Sequence, residues 1–229
     1  MSNKIGTLNE KPLHAALKAW YARPGDQFEA SVDRFVIDIL RNDLLVEIQT
    51  RSFAAIKRKL FELVPRHPVR LVYPIAQEKW IAKLTADGQT IKSRRKSPKR
   101  GAIEELFVEL VSFPELLPSP NFSLHVLLIQ EEVVRRYDGG GRRWRRRGWV
   151  THERCLLQVV DDCLFQTPAD LAALIPSTLP DPFTTLDLAK AAARPRRLAQ
   201  KMAYCLREMG AITAVGKQGN AILYTHTPA

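Results

Sequence analysis

Apolar residues at the start of the chain (Leu13, Ala16, Leu17, Trp20 and Tyr21) recur at helical spacing and predict a helix that Pro24-Gly25 ends. The pattern then changes to period two. VDRFVIDILRNDLLVEIQTRS, Val32 to Ser52, reads as a β-hairpin around the turn Asn42-Asp43, a pair that tolerates the positive φ such turns need. Counting outward pairs Arg41 with Leu44, Leu40 with Leu45, Ile39 with Val46, and Asp38 with Glu47. Both strand faces carry apolar residues, which predicts a buried sheet. Phe53, Ile56, Leu60, Phe61 and Val64 predict an amphipathic helix ended by Pro65. Val69 to Ile75 then reads as a strand, and Lys79 to Leu84 as a second one across a loop. A helix follows at Ile103 to Leu110, and FSLHVLLIQ is a further strand.

The C-terminal third returns to helical spacing. Thr184-Thr185 open a short helix, with Asp187 placed for a capping box. A longer helix follows Pro195, with Leu198, Met202, Cys205, Leu206 and Met209 on one stripe and Gly210 as its stop. AITAV and AILYT, joined by GKQGN, predict a hairpin, and further helices are expected over Cys155 to Phe165 and Ala169 to Leu174. Helix, turn, basic helix and hairpin together look like a winged helix-turn-helix domain. That resemblance implies DNA contacts from Arg196, Arg197, Gln200 and Lys201 on the second helix and Lys217 on the hairpin. Modules of this kind also bind proteins.

Asp38 opposite Glu47 is the first chemical signal. Like charges facing each other on a sheet repel, and a divalent cation between them would remove the conflict. Leu45, Glu47, Gln49 and Arg51 share a face, so an amide and a cation stand beside the carboxylates. The pattern resembles the PD-(D/E)XK (restriction-endonuclease-like) nuclease superfamily, with Asp38 as the Asp, Glu47 as the Glu and Gln49 at the Lys position. A helix and a strand after the hairpin follow the family's order. The family also tends to carry a Glu on a helix before the hairpin, for which Glu10 is the candidate and Glu29 the competitor. The resemblance covers about the first half of the chain. It implies Mg²⁺ or Mn²⁺ held by Asp38 and Glu47, Gln49 orienting water or phosphate, and Arg51 supplying positive charge. The same letters also fit the solvated face of an ordinary antiparallel pair.

Composition points the same way. The 229 residues carry 35 Lys and Arg against 24 Asp and Glu, a formal charge of +11, and the pI is near 9.8. This favours a polyanionic partner, DNA in the first place and RNA as the alternative. KSRRKSPKRG holds Arg94, Arg95, Lys96, Lys99 and Arg100 and reads either as a solvated loop or as a phosphate-contacting element. RRYDGGGRRWRRRGW is denser still. Arg142, Arg143, Trp144, Arg145 and Arg146 interleave cations with an aromatic ring, which suits stacking and backbone tracking, or else serves a basic linker.

The expectation is an α/β chain, a restriction-endonuclease-like mixed sheet flanked by helices and followed by a winged-helix domain. Its parts would be a nuclease-like domain over 1–133, a linker over 134–149 and the winged helix over 150–229. The expected function is a Mg²⁺-dependent DNA endonuclease. The alternatives are a non-cleaving DNA-binding regulator on a degenerate nuclease fold and an RNA-binding protein. Three cysteines without C-x-x-C spacing point to a reduced, cytoplasmic setting, no stretch is long enough to span a membrane, and a homodimer fits the reading.

Overall fold

The computed structural model describes residues 11–138 and 148–227. Helix α1 (Pro12–Tyr21) precedes strands β1 (Gln27–Val32), β2 (Phe35–Arg41) and β3 (Leu44–Ile48). Helix α2 (Lys57–Leu63), strands β4 (Val69–Leu84) and β5 (Ile91–Lys96), and the single turn α3 (Phe107–Leu110) follow. The long strands β6 (Phe122–Tyr137) and β7 (Trp149–Phe165) come next. Helices α4 (Pro168–Ala172), α5 (Thr185–Ala191) and α6 (Arg196–Glu208) lead to the hairpin β8 (Ile212–Gln218) and β9 (Ala221–His226).

The main sheet is mixed and runs β1-β2-β3-β4-β6-β7, with β5 added to β4. β3, β4 and β6 are parallel neighbours, so each needs a crossover, supplied by the α2 segment and by the β5–α3 segment. Helices cover both faces. Leu71 of β4 turns to a core shared with α2, α3 and α6, and its neighbour Val72 turns to a core shared with α1. That alternation explains why the central strands read as nearly continuous apolar runs.

Several expectations change. Residues 69–84 form one strand with a bulge between Ala76 and Glu78, where two strands and a loop were expected. Residues 92–96 of the basic run lie in a strand, β5, whose side chains stay exposed while Arg94 pairs with Glu132 at 2.6 Å and Lys96 with Glu78 at 2.8 Å. Residues 155–165, expected as helix, belong to β7, which pairs with β6 almost from end to end. A ladder that long outweighs weak local helical spacing. The linker expected over 134–149 therefore takes in the end of β6 and the start of β7, and residues 150–165 belong to the sheet. Phe165, Leu171, Phe183, Leu188 and Met202 share one core with Phe122 and Leu124.

Local signals in the C-terminal segment behave as read. Thr184 caps α5 reciprocally with Asp187, the apolar stripe of α6 is buried, and Gly210 takes φ +75 after the helix. Lys217 lies within β8 opposite Ile222, and the turn is Gly219-Asn220. A bridge from Phe183 to Tyr224 adds a third short segment to the hairpin.

Candidate active site

The β2–β3 register is the counted one. Asn42 takes φ +53, and the pairs Arg41–Leu44, Leu40–Leu45 and Ile39–Val46 form. The ladder stops there: the fourth counted pair, Asp38 with Glu47, does not form, and the two carboxylates turn to opposite layers of the sheet. Ile37 and Ile39, two residues apart, bury in different cores, so strict alternation breaks at Asp38. Across from this point Glu29 holds φ +51 between the pairs Phe28–Ile39 and Ala30–Ile37, a backbone state unusual for a residue with a Cβ. The irregularity turns the Asp38 carboxylate back into the sheet, where Oδ2 accepts the Ile48 amide at 2.8 Å. The same oxygen lies 3.2 Å from His14 Nε2 of α1.

Glu47, 4% exposed, faces the other layer. Its carboxylate is paired with the Lys59 ammonium of α2, which also donates to the Val36 carbonyl at 2.6 Å. Burial pushes the Glu47 carboxyl up to about 7, the negative charge of Asp38 adds to the rise, and Lys59 and the Asp38 amide only partly offset it. Asp38 moves the opposite way. Its burial alone would raise it, but the His14 hydrogen bond and charge, the Ile48 amide and Lys59 together hold it below the usual carboxylate range. One carboxylate is thus stabilised as an anion while its neighbour holds a proton near neutrality.

The remaining expected residues are less central. Gln49 donates its side-chain amide to the Ser52 carbonyl at 2.6 Å, closing the turn after β3, and Arg51 is exposed on that turn. Glu29 spends its carboxylate on Lys18 of α1. Glu10 lies outside the described residues. Two side chains escaped sequence reasoning. Lys59 is twelve residues beyond Glu47 in a helix read only for its apolar stripe, and the one available clue was that Glu-x-Gln lacks a cation. His14, like His67 and His125, stands in no recognisable motif along the chain. Yet His67 meets Asp33 at 3.2 Å, and His125 links Tyr21 at 2.8 Å to Asp162 at 2.7 Å.

The basic residues divide into groups. Lys99, Arg100, Arg197 and Lys201, far apart in sequence, line one cavity of about 790 Å³. Arg94 and Lys96 lie over the Trp80 ring, and Arg95 is exposed on β5. Arg196 and Gln200 are exposed on α6, as is Lys217 on β8. Arg142, Arg143, Trp144, Arg145 and Arg146 lie outside the described residues. Trp149, at the end of the same basic run, packs its ring against Tyr137 with centroids 5.7 Å apart.

Among the described residues no cluster of three or more His, Cys, Asp and Glu side chains is placed to hold a metal ion. No described helix is long and apolar enough to cross a membrane. No solved structure matches the chain. It is 32% identical over 226 residues to an uncharacterized protein of Treponema pallidum (strain Nichols), covering 98% of this chain and 88% of that one. A family model described as a domain of unknown function, DUF8091, matches residues 11–166, from α1 to just past the end of β7. The chain belongs to this DUF8091 family.

Proposed function

We propose that the chain is a Mg²⁺-dependent DNA endonuclease with a PD-(D/E)XK-type centre. The observation that carries this reading is the closeness of the half-buried Asp38 and the buried Glu47 where β2 and β3 part, with the Lys59 ammonium set on Glu47. In this reading Lys59, delivered from α2, supplies the positive charge that Gln49 cannot. His14 holds Asp38 in its anionic form, and Gln49 shapes the turn beyond β3. Both donors are carboxylates, the type a hard cation takes, and the charge of Asp38 that raises Glu47 is a conflict a divalent ion would relieve once the two side chains, which face opposite layers here, turn toward each other. Mg²⁺ commonly keeps several waters, so two protein carboxylates suffice as its anchor. Bound there, the ion would supply Lewis-acid stabilisation of a phosphate oxygen and a more acidic water. The C-terminal helices and hairpin are read as a winged helix, with the exposed Arg196 and Gln200 of α6 available to a duplex.

A second reading, a DNA-binding regulator that does not cut, draws on Gln49, whose amide is engaged with Ser52 where the family has a free lysine. Nicking of supercoiled plasmid with and without Mg²⁺ separates the two. The wild type should nick only with the metal, and Glu47→Ala and Lys59→Met should each lose at least a hundredfold while remaining folded by circular dichroism. Plasmid binding without nicking by the wild type, at any Mg²⁺ or Mn²⁺ concentration, would favour the regulator.

A further inference from the structure

Along one edge of β4 lies a gap. Pairing with β3 ends at Ile48–Val72, and pairing with β5 begins only at Trp80–Lys96. The interval from Tyr73 to Lys79 contains the bulge, and the 790 Å³ cavity opens against it. That volume falls within the range of sites for nucleotide-sized ligands. Tyr73, Ile75, Val108 and Leu198 supply apolar wall, so the cavity offers a surface for a base or sugar as well as charge.

The charge converges from three parts of the chain. Lys79 and Arg154 come from the sheet, Lys99 and Arg100 from the segment after β5, and Arg194, Arg197 and Lys201 from α6 and the residues just before it. Five of these have carboxylate partners. Lys79 and Arg154 share the fully buried Glu131, each at 2.7 Å; Lys99 meets Glu105 at 3.1 Å; Arg194 meets Glu104 at 3.1 Å; and Arg100 meets Glu78. Glu109 also lines the cavity. Seven basic side chains thus face five carboxylates, a surplus of two positive charges. The surplus is local. Among the described residues Arg197 has no acidic partner, Lys201 donates to the Val108 carbonyl at 3.0 Å, and the buried Nε of Arg194 has no acceptor.

A second feature meets the same space. α6 is 13 residues long, its N-cap is Pro195 with no side-chain acceptor, and Pro195, Arg197 and Leu198 all line the cavity. The positive end of the helix therefore stands at the cavity wall, an arrangement suited to an anion, although the Leu198 amide is already bonded to the Pro195 carbonyl at 2.8 Å.

We propose that this cavity is a phosphate site for a nucleotide unit, held by Arg197, Lys201 and Arg100 at the positive end of α6. A nucleic-acid strand and a free nucleotide present the same chemistry. In its strand form the proposal rests on the nuclease reading, because the cavity wall is joined to the turn after Glu47. Arg154 donates to the Thr50 carbonyl at 2.9 Å, and Glu109 accepts the Phe53 amide at 3.1 Å. A strand seated in the cavity would lie on the face of the sheet that α2, α3 and α6 cover, the face on which Glu47 meets Lys59.

The test is fluorescence anisotropy with the full chain in EDTA, so that binding is read apart from cleavage. The probes are a fluorescein-labelled 12-nucleotide single strand, a labelled 20-base-pair duplex and mant-ADP. Arg197→Ala and Arg100→Ala should each weaken binding of at least one probe about tenfold and lower the salt slope by about one for a strand or duplex. Arg207→Ala, at the other end of α6 and paired with Glu208, should change neither. Strand binding that mant-ADP does not compete identifies the strand as the source; mant-ADP binding that the strand does not compete identifies the free nucleotide. The proposal is overturned if the two cavity variants bind as the wild type does, if Arg207→Ala weakens binding equally, or if no probe binds at millimolar protein or ligand. Glu47→Gln keeps the nuclease reading separate. Cavity-dependent binding without Mg²⁺-dependent nicking would sink that reading alone. Nicking and binding untouched by the cavity variants would sink this one alone.

Discussion

Replacing Glu47 by glutamine tests the electrostatics on which the candidate site depends. Burial and the charge of Asp38 raise this carboxyl from its ordinary 4.5 to about 7. A rise of about 2.5 corresponds to roughly 3 kcal/mol between its two protonation states. The folded chain keeps the proton until near pH 7, while the unfolded chain releases it near 4.5. Stability from the protonated form is therefore fully present below pH 4.5 and is lost as pH rises through 7. The amide of the Glu47→Gln variant cannot ionise and lacks this loss. The difference in unfolding free energy between wild type and Glu47→Gln should shift by up to roughly 3 kcal/mol from about pH 4.5 to about pH 8, in favour of the variant at the upper end. Asp38 is lowered, so its contribution is lost only on acidification below the ordinary carboxylate range, outside this window. Urea unfolding followed by tryptophan fluorescence at four or five pH values gives both curves. Parallel curves, within about 0.5 kcal/mol throughout, would refute the account of a strained carboxylate pair. Mg²⁺ adds a second arm. At about pH 8 an ion that binds the ionised pair should stabilise the wild type, by about 2.7 kcal/mol at a hundred times its dissociation constant, and leave the variant unchanged.

Other outcomes follow from packing. Gly101→Ala would put a Cβ 2.4 Å from the Ala76 carbonyl oxygen and should cost about 1–3 kcal/mol by thermal or urea unfolding; an unchanged midpoint would mean the close approach to the β4 bulge is wrong. Phe53 is stacked on Phe113 with centroids 5.1 Å apart and meets Tyr73 edge-on at 4.8 Å, so Phe53→Ala should cost about 3–5 kcal/mol by urea unfolding. Cys155 and Cys163 are half-buried, whereas burial places Cys205 at 0% exposure with its thiol pushed up to about 12. An aromatic disulfide reagent should therefore modify at most two thiols in the native protein and a third only in urea, with Cys205 the protected one by peptide mapping.

What could be read directly from the residues was whatever a short span of chain decides. The two-residue turn Asn42-Asp43 sets the β2–β3 register because a hairpin's pairing is dictated by its loop. Thr184 and Asp187 start α5 because a capping box is complete within four residues. The stripe of α6 is equally local, since every member lies within a few turns of one helix. The identity of β7 was not local. Its residues alternate only weakly between half-buried and exposed, and a β6 partner ending at Tyr137 makes them a strand. The same holds for β5, whose fully exposed cations take their conformation from β4 and their partners from Glu78 and Glu132. It holds for the candidate site as well. Asp38 and Glu47 were visible because one turn separates them, but the side chains that complete them arrive on helices from opposite layers, His14 on α1 and Lys59 on α2. Layer packing of the mixed sheet brings those helices in, and the gap between β3 and β5 makes the cationic cavity. Neither leaves a mark on residue spacing, because each is decided by contacts between segments that the chain itself keeps far apart.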